Sequence, residues 1–439
     1  MKLLFVAPSA YLLGGVQDWL ADLVAGLRDQ GQDVHVAVPD DAIHRLGPYA
    51  ERYPALQPMP FRNPCGDAWG RIEGLQALLR RHPDHLVAGV NIAALYPAVR
   101  GLRRLGQFRG KVVMTLHALE GEYYADLREQ RDLLDAVVVT NRLSGALAED
   151  LGGMAPERVL YAPYGVAMPL VAASSTPTPP AEPGPLELVW VGRLEHEQKR
   201  VGDLRAILEA LDAAGEPFRL TIAGDGPERP DLEQALGPWR QRGVVHLTGA
   251  ISRARLQREV YGPGRVLLIT SAWETGPIVA WEAMAAGMAV VSSRYLGSGL
   301  ERALGDGRTA LLYPVGDTAA AAAQLVRLRD RVLLAELAAA GAAMVRGRYS
   351  REASLAAWMA AFRGVAALPP LPRPVAGAAP EAAGGLDRLL GPAAAHGVRG
   401  LLGRRFRHGE AGSEWPHSGH PHGDGERLRS RAHALDHHV

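Results

Sequence analysis

Short apolar segments alternate with helical patterns in the N-terminal part of the chain. Between the first two segments, apolar residues recur at helical spacing from Trp19 to Leu27, and Gly31 ends the pattern. The segments have the length of buried strands and lie at residues 3–7, 34–38, 86–90, 112–116 and 136–139. Apolar strands that alternate with helices are typical of a parallel sheet with crossover helices. This part is therefore predicted to have βαβ organisation.

The same alternation begins again after residue 185. Residues 167–185 are rich in proline and lack periodicity, which predicts a solvated, semi-rigid connector. A chain of 439 residues also exceeds what one hydrophobic core usually supports. Further strands are predicted at 186–191, 219–223, 244–247, 266–269 and 289–292, and helices at 201–214, 231–240, 253–261, 277–286, 318–328, 331–346 and 351–362. The sequence thus predicts two α/β domains, at 1–166 and 186–346.

The C-terminal residues 367–439 are rich in Ala, Pro, Gly, Arg and His. Their eight histidines fit no compact set of metal ligands, and the composition predicts a disordered polar tail. Within the tail, residues 386–406 have the pattern of a short basic amphipathic helix, which could contact a membrane interface.

Composition excludes several functional classes. A net charge of +1 provides no global field for binding nucleic acid. The single cysteine, Cys65, cannot form an internal disulfide, so a cytoplasmic protein is expected. No apolar run approaches the roughly 18 residues of a spanning helix, so membrane contact is expected to be peripheral at most. A local basic cluster could face an anionic lipid-linked acceptor or could be a solvated face; it comprises Arg100, Arg103, Arg104, Arg109 and Lys111.

Two glutamates follow the predicted strand 266–269. Thr275 or Gly276 can cap a helix, and Pro277 suits its first position. Glu274 is then in a loop above the strand and Glu282 within the helix, on the order of 12 Å apart, which is the scale of a nucleotide sugar. The helix N-terminus between them suits a phosphate. The alternative is a surface loop residue and a solvated helix position, although Glu282 has apolar neighbours.

Glu274 and Glu282 have seven residues between them and are followed by Ala-Met-Ala-Ala-Gly-Met-Ala-Val-Val. This pattern resembles the donor-site signature of the glycosyltransferase group 1 family (glycosyltransferase family 4). The resemblance covers roughly residues 2–362 and implies a retaining enzyme with the GT-B fold, two Rossmann-like domains facing a central cleft. It places Glu282 on the ribose hydroxyls and Glu274 on the donor sugar. The family usually has Gly-Phe-Gly after the first Glu, whereas this chain has Thr275-Gly276-Pro277 there. Gly276, Pro277 and Ile278 are expected to line the donor site.

Arg193 and Lys199 follow the predicted strand 186–191, at an edge where open α/β sheets bind ligands. Two cations there can neutralise the charge that develops on a diphosphate leaving group. A solvated charged loop is the alternative, but the family carries an Arg and a Lys that bind the diphosphate at the matching positions.

Gly14 and Gly15 follow the first strand, where glycine lets the backbone approach a phosphate or sugar, or simply makes a tight turn. The resemblance assigns them to a glycine loop near the acceptor and diphosphate. His117 lies at the end of strand 112–116, where a lone histidine is more often structural than catalytic. The resemblance instead places it near the reacting centre of the donor sugar. Residues 224–227, Gly-Asp-Gly-Pro, lack the third glycine of a dinucleotide motif, and the resemblance makes them structural.

The resemblance implies transfer of a hexose-type sugar from a nucleoside-diphosphate sugar to a hydroxyl of a glycan or lipid-linked acceptor. It implies a front-face mechanism without a protein nucleophile, and no metal or other cofactor is expected. The active site is expected between the domains, with the helix at 347–366 crossing back to the first domain. The enzyme would be cytoplasmic, with peripheral contact to the inner face of the membrane as a further expectation. The alternatives are a non-catalytic carbohydrate- or nucleotide-binding protein of the same fold and, more remotely, an NAD-dependent enzyme.

Overall fold

The computed structural model describes residues 1–7, 15–40, 45–63, 65–90, 92–168, 184–262, 264–372, 385–403 and 425–437. Most of the predicted connector at 167–185 lies outside these residues. The chain divides into two compact units. The first consists of Met1–Thr140, Ser144–Ala162 and Leu355–Arg431, and the second of Asn141–Leu143, Pro163–Ser354 and Ala432–Val439.

The first unit contains a parallel sheet of seven strands in the order β3-β2-β1-β4-β5-β6-β7. The strands are β1 (Lys2–Val6), β2 (Asp33–Asp40), β3 (Met59–Arg62), β4 (Leu86–Val90), β5 (Val112–Leu116), β6 (Ala136–Val139) and β7 (Val159–Tyr161). The helices between them are α1 (Gly15–Asp29), α2 (Leu46–Arg52), α3 (Ala68–Arg81), α4 (Leu95–Arg104), α5 (Gly121–Gln130) and α6 (Arg142–Asp150). Every residue of β4, β5 and β6 is buried, which explains why these strands read as continuous apolar runs.

The second unit contains a six-stranded parallel sheet in the order β10-β9-β8-β11-β12-β13. Its strands are β8 (Leu186–Val191), β9 (Phe218–Ala223), β10 (Val245–Gly249), β11 (Val266–Ile269), β12 (Ala289–Ser293) and β13 (Leu311–Tyr313). Its helices are α7 (Asp203–Ala213), α8 (Arg229–Ala235), α9 (Gly237–Gln241), α10 (Arg253–Arg255), α11 (Ile278–Ala285), α12 (Thr318–Arg327), α13 (Arg331–Arg348) and the beginning of α14 (Arg351–Ala367). The two doubly wound parallel sheets confirm the predicted fold class.

Two predicted helices of the second unit are interrupted. The helix predicted at 231–240 is divided at Leu236 into α8 and α9, because Pro238 has no N–H to donate to the carbonyl of Gln234 and instead lies in the first turn of α9. The helix predicted at 253–261 has only one α-helical turn, α10, and continues as a π-helical turn at Leu256–Val260.

Helix α14 contributes aromatic side chains to the core of the first unit. Its Trp358 ring lies 4.9 Å from that of Trp19 in α1, and its Phe362 ring lies 5.8 Å from that of Phe5 in β1. Both side chains are fully buried. The residues of α14 from Leu355 onwards belong to the first unit.

The C-terminal segment, for which the sequence predicts a disordered tail, contains three helices in its described part: α15 (Gly385–Leu390), α16 (Pro392–Leu401) and α17 (Gly425–Leu435). Arg399 of α16 explains the order of the first two. Its guanidinium lies 2.8 Å from Asp67, the N-cap of α3, and 2.7 Å from Asp387 of α15. This buried ion-pair network joins residues more than 300 positions apart, so composition alone does not indicate it.

Candidate functional site

The carboxyl ends of β8 and β11 mark the switch point of the second sheet, where the chain turns to opposite sides of the neighbouring strands. Ligands of open α/β sheets bind at such points. The loop after β8 carries Arg193 and Lys199, and the loop after β11 carries Glu274. Bonds to the backbone join the loops: the Thr270 hydroxyl donates to the Lys199 carbonyl at 2.6 Å, and the Ala272 amide donates to the Gln198 carbonyl at 2.7 Å.

Lys199 and Glu274 form an ion pair at this switch point. The Lys199 ammonium donates to Glu274 Oε1 at 2.5 Å, and the Ser271 hydroxyl donates to the same oxygen at 2.7 Å. The Glu274 side chain is only 8% exposed and that of Lys199 is 19% exposed. The sequence predicts these residues separately, on the sugar and on the diphosphate, whereas the structure joins them in one charge-assisted contact.

Glu282 is the fifth residue of α11 and is buried. Its carboxylate accepts hydrogen bonds from Arg253 Nε of α10 and from the Tyr261 hydroxyl, the latter at 3.4 Å. Burial, followed by the nearby charge of Glu282, raises the pKa of Tyr261 well above its ordinary value, so its hydroxyl stays protonated and can donate. Arg253 and Tyr261 were not singled out from the sequence, because neither belongs to a motif there.

The loop between the two glutamates differs from the prediction in one respect. Pro277 is the N-cap of α11, which begins at Ile278, and is not its first helical residue. The reason is its ψ of 89°, which is not helical, while its carbonyl accepts the first helical bonds from Ala280 and Trp281. Gly276 has a φ of 132°, a conformation that side-chain-bearing residues rarely adopt.

Helix α11 is held firmly from its other face. The Trp281 ring stacks on that of Tyr349 at 4.3 Å with an angle of 6°, and Gly341 of α13 lets the two helices approach closely at Met284. A fixed helix gives Glu282 a fixed position.

Arg193 is exposed in the loop after β8. Gly224 and Gly226 pack against this loop, because a Cβ at these positions would lie 1.8 Å from the Gly192 carbonyl oxygen and 2.3 Å from that of Leu194. This close approach explains why glycine occupies both positions, without a role in binding a dinucleotide.

A carboxylate from the end of the chain contacts the loop after β12. Asp436, which follows α17, accepts hydrogen bonds from the amides of Gly297 at 2.6 Å, Leu300 at 2.7 Å and Gly299 at 3.2 Å. This loop adjoins Glu274, whose amide donates to the Leu296 carbonyl at 3.0 Å. No motif in the sequence indicates the contact, since Asp436 lies in the tail.

In the first unit, His117 follows β5 and is buried. The Thr115 hydroxyl donates to the Gly89 carbonyl at 3.0 Å, so it accepts from His117 Nε2–H at 2.9 Å. The imidazole packs on Trp19 at 4.6 Å. Burial lowers the pKa of His117 to about 3, so the ring is neutral at pH 7 and unsuited to acid catalysis. Gly15 begins α1 and is exposed, while Gly14 lies outside the described residues.

Comparison with known proteins identifies the family. Residues 185–331 match the profile described as "Glycosyl transferases group 1", and residues 13–168 match that of "Glycosyltransferase Family 4". The chain belongs to this glycosyltransferase family. A solved structure of an Anabaena protein in complex with UDP-glucose superposes with a TM-score of 0.64 at 18% identity, covering 84% of this chain and 100% of that one, and shows the GT-B fold.

Two characterised relatives are similar to this family 4 member. A lipopolysaccharide core biosynthesis glycosyltransferase of Rhizobium meliloti is 33% identical over 184 residues, which are 41% of this chain and 50% of the relative. A phosphatidyl-myo-inositol mannosyltransferase of Mycobacterium leprae is 28% identical over 372 residues, covering 79% of this chain and 92% of the relative. The chain thus spans about half the length of the Rhizobium relative and most of the mycobacterial one.

Carboxylates pair with four residues of the basic cluster of this family 4 protein: Arg100, Arg103, Arg109 and Lys111. Arg100 lies 2.6 Å from Asp132 and Arg109 lies 3.1 Å from Asp84. Asp135 accepts a hydrogen bond from Arg103 at 2.7 Å and forms an ion pair with Lys111 at 3.1 Å. These ion pairs favour a structural role over a face for an anionic lipid. Within the described ranges, no helix has both the length and the apolar character needed to cross a membrane.

Proposed function

We propose that this protein is a retaining glycosyltransferase that moves a hexose-type sugar from a nucleoside-diphosphate sugar to a hydroxyl of a glycan or lipid-linked acceptor. The observation that carries the proposal is the Lys199–Glu274 pair at the switch point of the second sheet, with Glu282 fixed eight residues further on in α11. The two characterised relatives, one named for lipopolysaccharide core biosynthesis and the other for a phosphoinositide mannosyltransferase, support an acceptor in glycolipid or polysaccharide assembly.

Glu274 would accept hydrogen bonds from the hydroxyls of the donor sugar. Its partner Lys199 carries three donors and uses one on Glu274, so the same ammonium can also donate to the diphosphate. Arg193, exposed in the same loop, supplies a second cation. Together with the amides at the start of α11, after Gly276 and Pro277, these groups would stabilise the charge that develops on the leaving diphosphate.

Glu282 would bind the ribose hydroxyls of the nucleotide. Arg253 and Tyr261 donate to its carboxylate, which fixes its orientation before the nucleotide binds. His117 would face the donor sugar as a neutral hydrogen-bonding group, consistent with its lowered pKa.

In the proposed front-face reaction, the bond between the anomeric carbon and the diphosphate oxygen breaks while the acceptor hydroxyl forms its bond on the same face. The leaving phosphate oxygen takes the hydroxyl proton. The chain then needs no nucleophile of its own, and its residues act by positioning and by electrostatic stabilisation. We propose that this chemistry proceeds without a metal, in the cytoplasm.

The test measures turnover of UDP-, GDP- and ADP-sugars and nucleotide affinity in three variants. Removing one donor of this kind typically lowers kcat by about 10²–10³-fold, which we expect for Lys199→Ala. Glu282→Gln should mainly weaken nucleotide binding. Arg205→Ala, in an exposed pair with Glu209 on α7, is the matched control. Unchanged kinetics in both site variants would remove the assignment, and the anomeric configuration of the product, read by NMR, tests retention.

A second candidate is a non-catalytic nucleotide-sugar- or carbohydrate-binding protein of the same fold. It is favoured by the sequence after Glu274, Thr275-Gly276-Pro277, which departs from the usual family pattern. Binding of a nucleotide sugar by the wild-type chain, without turnover of any donor in the presence of glycan and lipid-linked acceptors, would support this candidate.

A further inference from the structure

Three histidines come together at the amino end of the first sheet. His35 is the third residue of β2, His82 follows the last residue of α3, and His85 directly precedes β4. One ring nitrogen of each histidine lies within 4.8 Å of those of the other two. Pro83 follows His82 and helps to end α3 there, so that a short turn brings His82 and His85 to the same side.

The spacing of two of these rings matches that of metal ligands. His82 Nδ1 and His85 Nε2 are 3.4 Å apart. Two nitrogens bound to a tetrahedral zinc ion at about 2.0–2.1 Å lie about 3.3–3.4 Å from each other. The side chain of His35 is 34% exposed, so a change of its side-chain torsion angles can bring its nitrogen to the same spacing.

The buried environment also favours a ligand. His85 is 8% exposed, so water has little access to its ring, whose Nε2 faces His82.

A carboxylate lies next to one of the three imidazoles. Asp33 Oδ1 lies 3.1 Å from His35 Nε2, the arrangement in which a carboxylate orients a metal-binding imidazole through its second nitrogen. This leaves Nδ1 of His35 for the metal.

We propose that His35, His82 and His85 bind one divalent transition-metal ion of the zinc class, with water in the fourth position. The ion ties β2 to the turn between α3 and β4 and so stabilises the first unit. The site lies at the amino ends of the strands, whereas His117 follows the carboxyl end of β5, so the ion takes no part in sugar transfer. The proposal is independent of the proposed function.

The test uses the full-length chain after dialysis against a chelator. It is titrated with Co²⁺, whose visible absorption reports tetrahedral nitrogen coordination, and then with Zn²⁺ as competitor. We expect one Co²⁺ per chain, displacement by Zn²⁺, and an increase in Tm on adding Zn²⁺ because the ion binds the folded state. His35→Asn, a partly exposed position that should fold normally, is expected to weaken Co²⁺ binding at least tenfold and to abolish the Zn²⁺-dependent increase in Tm.

The histidines of the tail require a control, since they could also bind cobalt. The triple variant His417→Ala, His420→Ala and His422→Ala should keep the absorption and the single site. His82→Asn, checked for folding by circular dichroism, should lose both. Absorption that persists in His35→Asn and His82→Asn, absorption that disappears in the tail variant, or the absence of saturable binding to the wild-type chain would each overturn the proposal.

Discussion

The Lys199–Glu274 pair can be tested as an interaction, independently of activity. Lys199→Met removes the ammonium but keeps most of the side-chain volume. Glu274→Gln removes the charge of the partner but keeps its shape. The double variant removes both charges, so the three proteins and the wild type form a double-mutant cycle.

The magnitude follows from the burial of the pair. After Lys199→Met, the carboxylate of Glu274 keeps the Ser271 hydroxyl at 2.7 Å and a long contact to Gln198 at 3.4 Å. Removing one partner of a buried ion pair costs about 3–5 kcal/mol. Because the Lys199 side chain remains 19% exposed, we expect the lower end of that range. The double variant should cost about 1 kcal/mol, since it leaves no unpaired buried charge. Glu274→Gln leaves the ammonium of Lys199 partly exposed to water and should cost about 1 kcal/mol. The coupling, which is the sum of the two single costs less the cost of the double variant, is then about 3 kcal/mol.

The assay is urea unfolding monitored by hydrogen exchange in peptides from the second unit, because the two units can unfold in separate transitions. Arg205→Met is the matched control. Arg205 and Glu209 form an exposed pair, with side chains 60% and 51% exposed, and loss of such a pair costs about 0–1 kcal/mol. The reasoning is refuted if Lys199→Met costs no more than this control, or if the costs of the two single variants simply add in the double variant.

Two further predictions concern the tail and the buried histidine. Asp436→Ala leaves the amides of Gly297 and Leu300 without their carboxylate acceptor, and we expect the local free energy of opening to decrease by about 2–3 kcal/mol. Hydrogen exchange of residues 296–301 measures this loss. Asp436→Asn should recover part of it, and unchanged exchange in both variants would contradict the contact. The pKa of His117 is about 3 in the folded chain, below its unfolded value of 6.5, so unfolding takes up a proton as the pH falls below 6.5. The contribution of His117 to the free energy of unfolding is thus fully present above pH 6.5, and it should decrease by about 2 kcal/mol between pH 7 and pH 5. His117→Asn should reduce the pH dependence of urea unfolding by that amount, and an unchanged slope would show that the ring is not held neutral.

The sequence predicted the central strands well and missed three at the edges. Strands β4, β5, β6 and β11 have the predicted bounds, because burial on both faces leaves a continuous apolar run. The missed strands, β3, β7 and β13, each lie at one end of a sheet. They have only three or four residues, and β3 contains Pro60, so no local pattern distinguishes them from loops.

Local chemistry likewise explains which site residues could be found. Glu274, Glu282, Arg193 and Lys199 lie in short motifs directly after strands, and the carboxyl edge of a parallel sheet is where such residues act. Their roles in transfer stay predictions. Arg253 and Tyr261 have no motif, and they became recognisable only through their bonds to Glu282.

By itself, the sequence determined the two α/β units, the family and the position of the motif that we propose binds the donor, because each depends on apolar periodicity or on residues close together in the chain. The tertiary structure decided the partners. Lys199 and Glu274 are 75 positions apart, and Asp436 meets the loop of Gly297 across 139 positions. The three histidines of the first unit meet only because β2 and the turn before β4 lie at the same edge of one sheet. Contacts between distant segments depend on how the sheets place them, which local sequence does not encode.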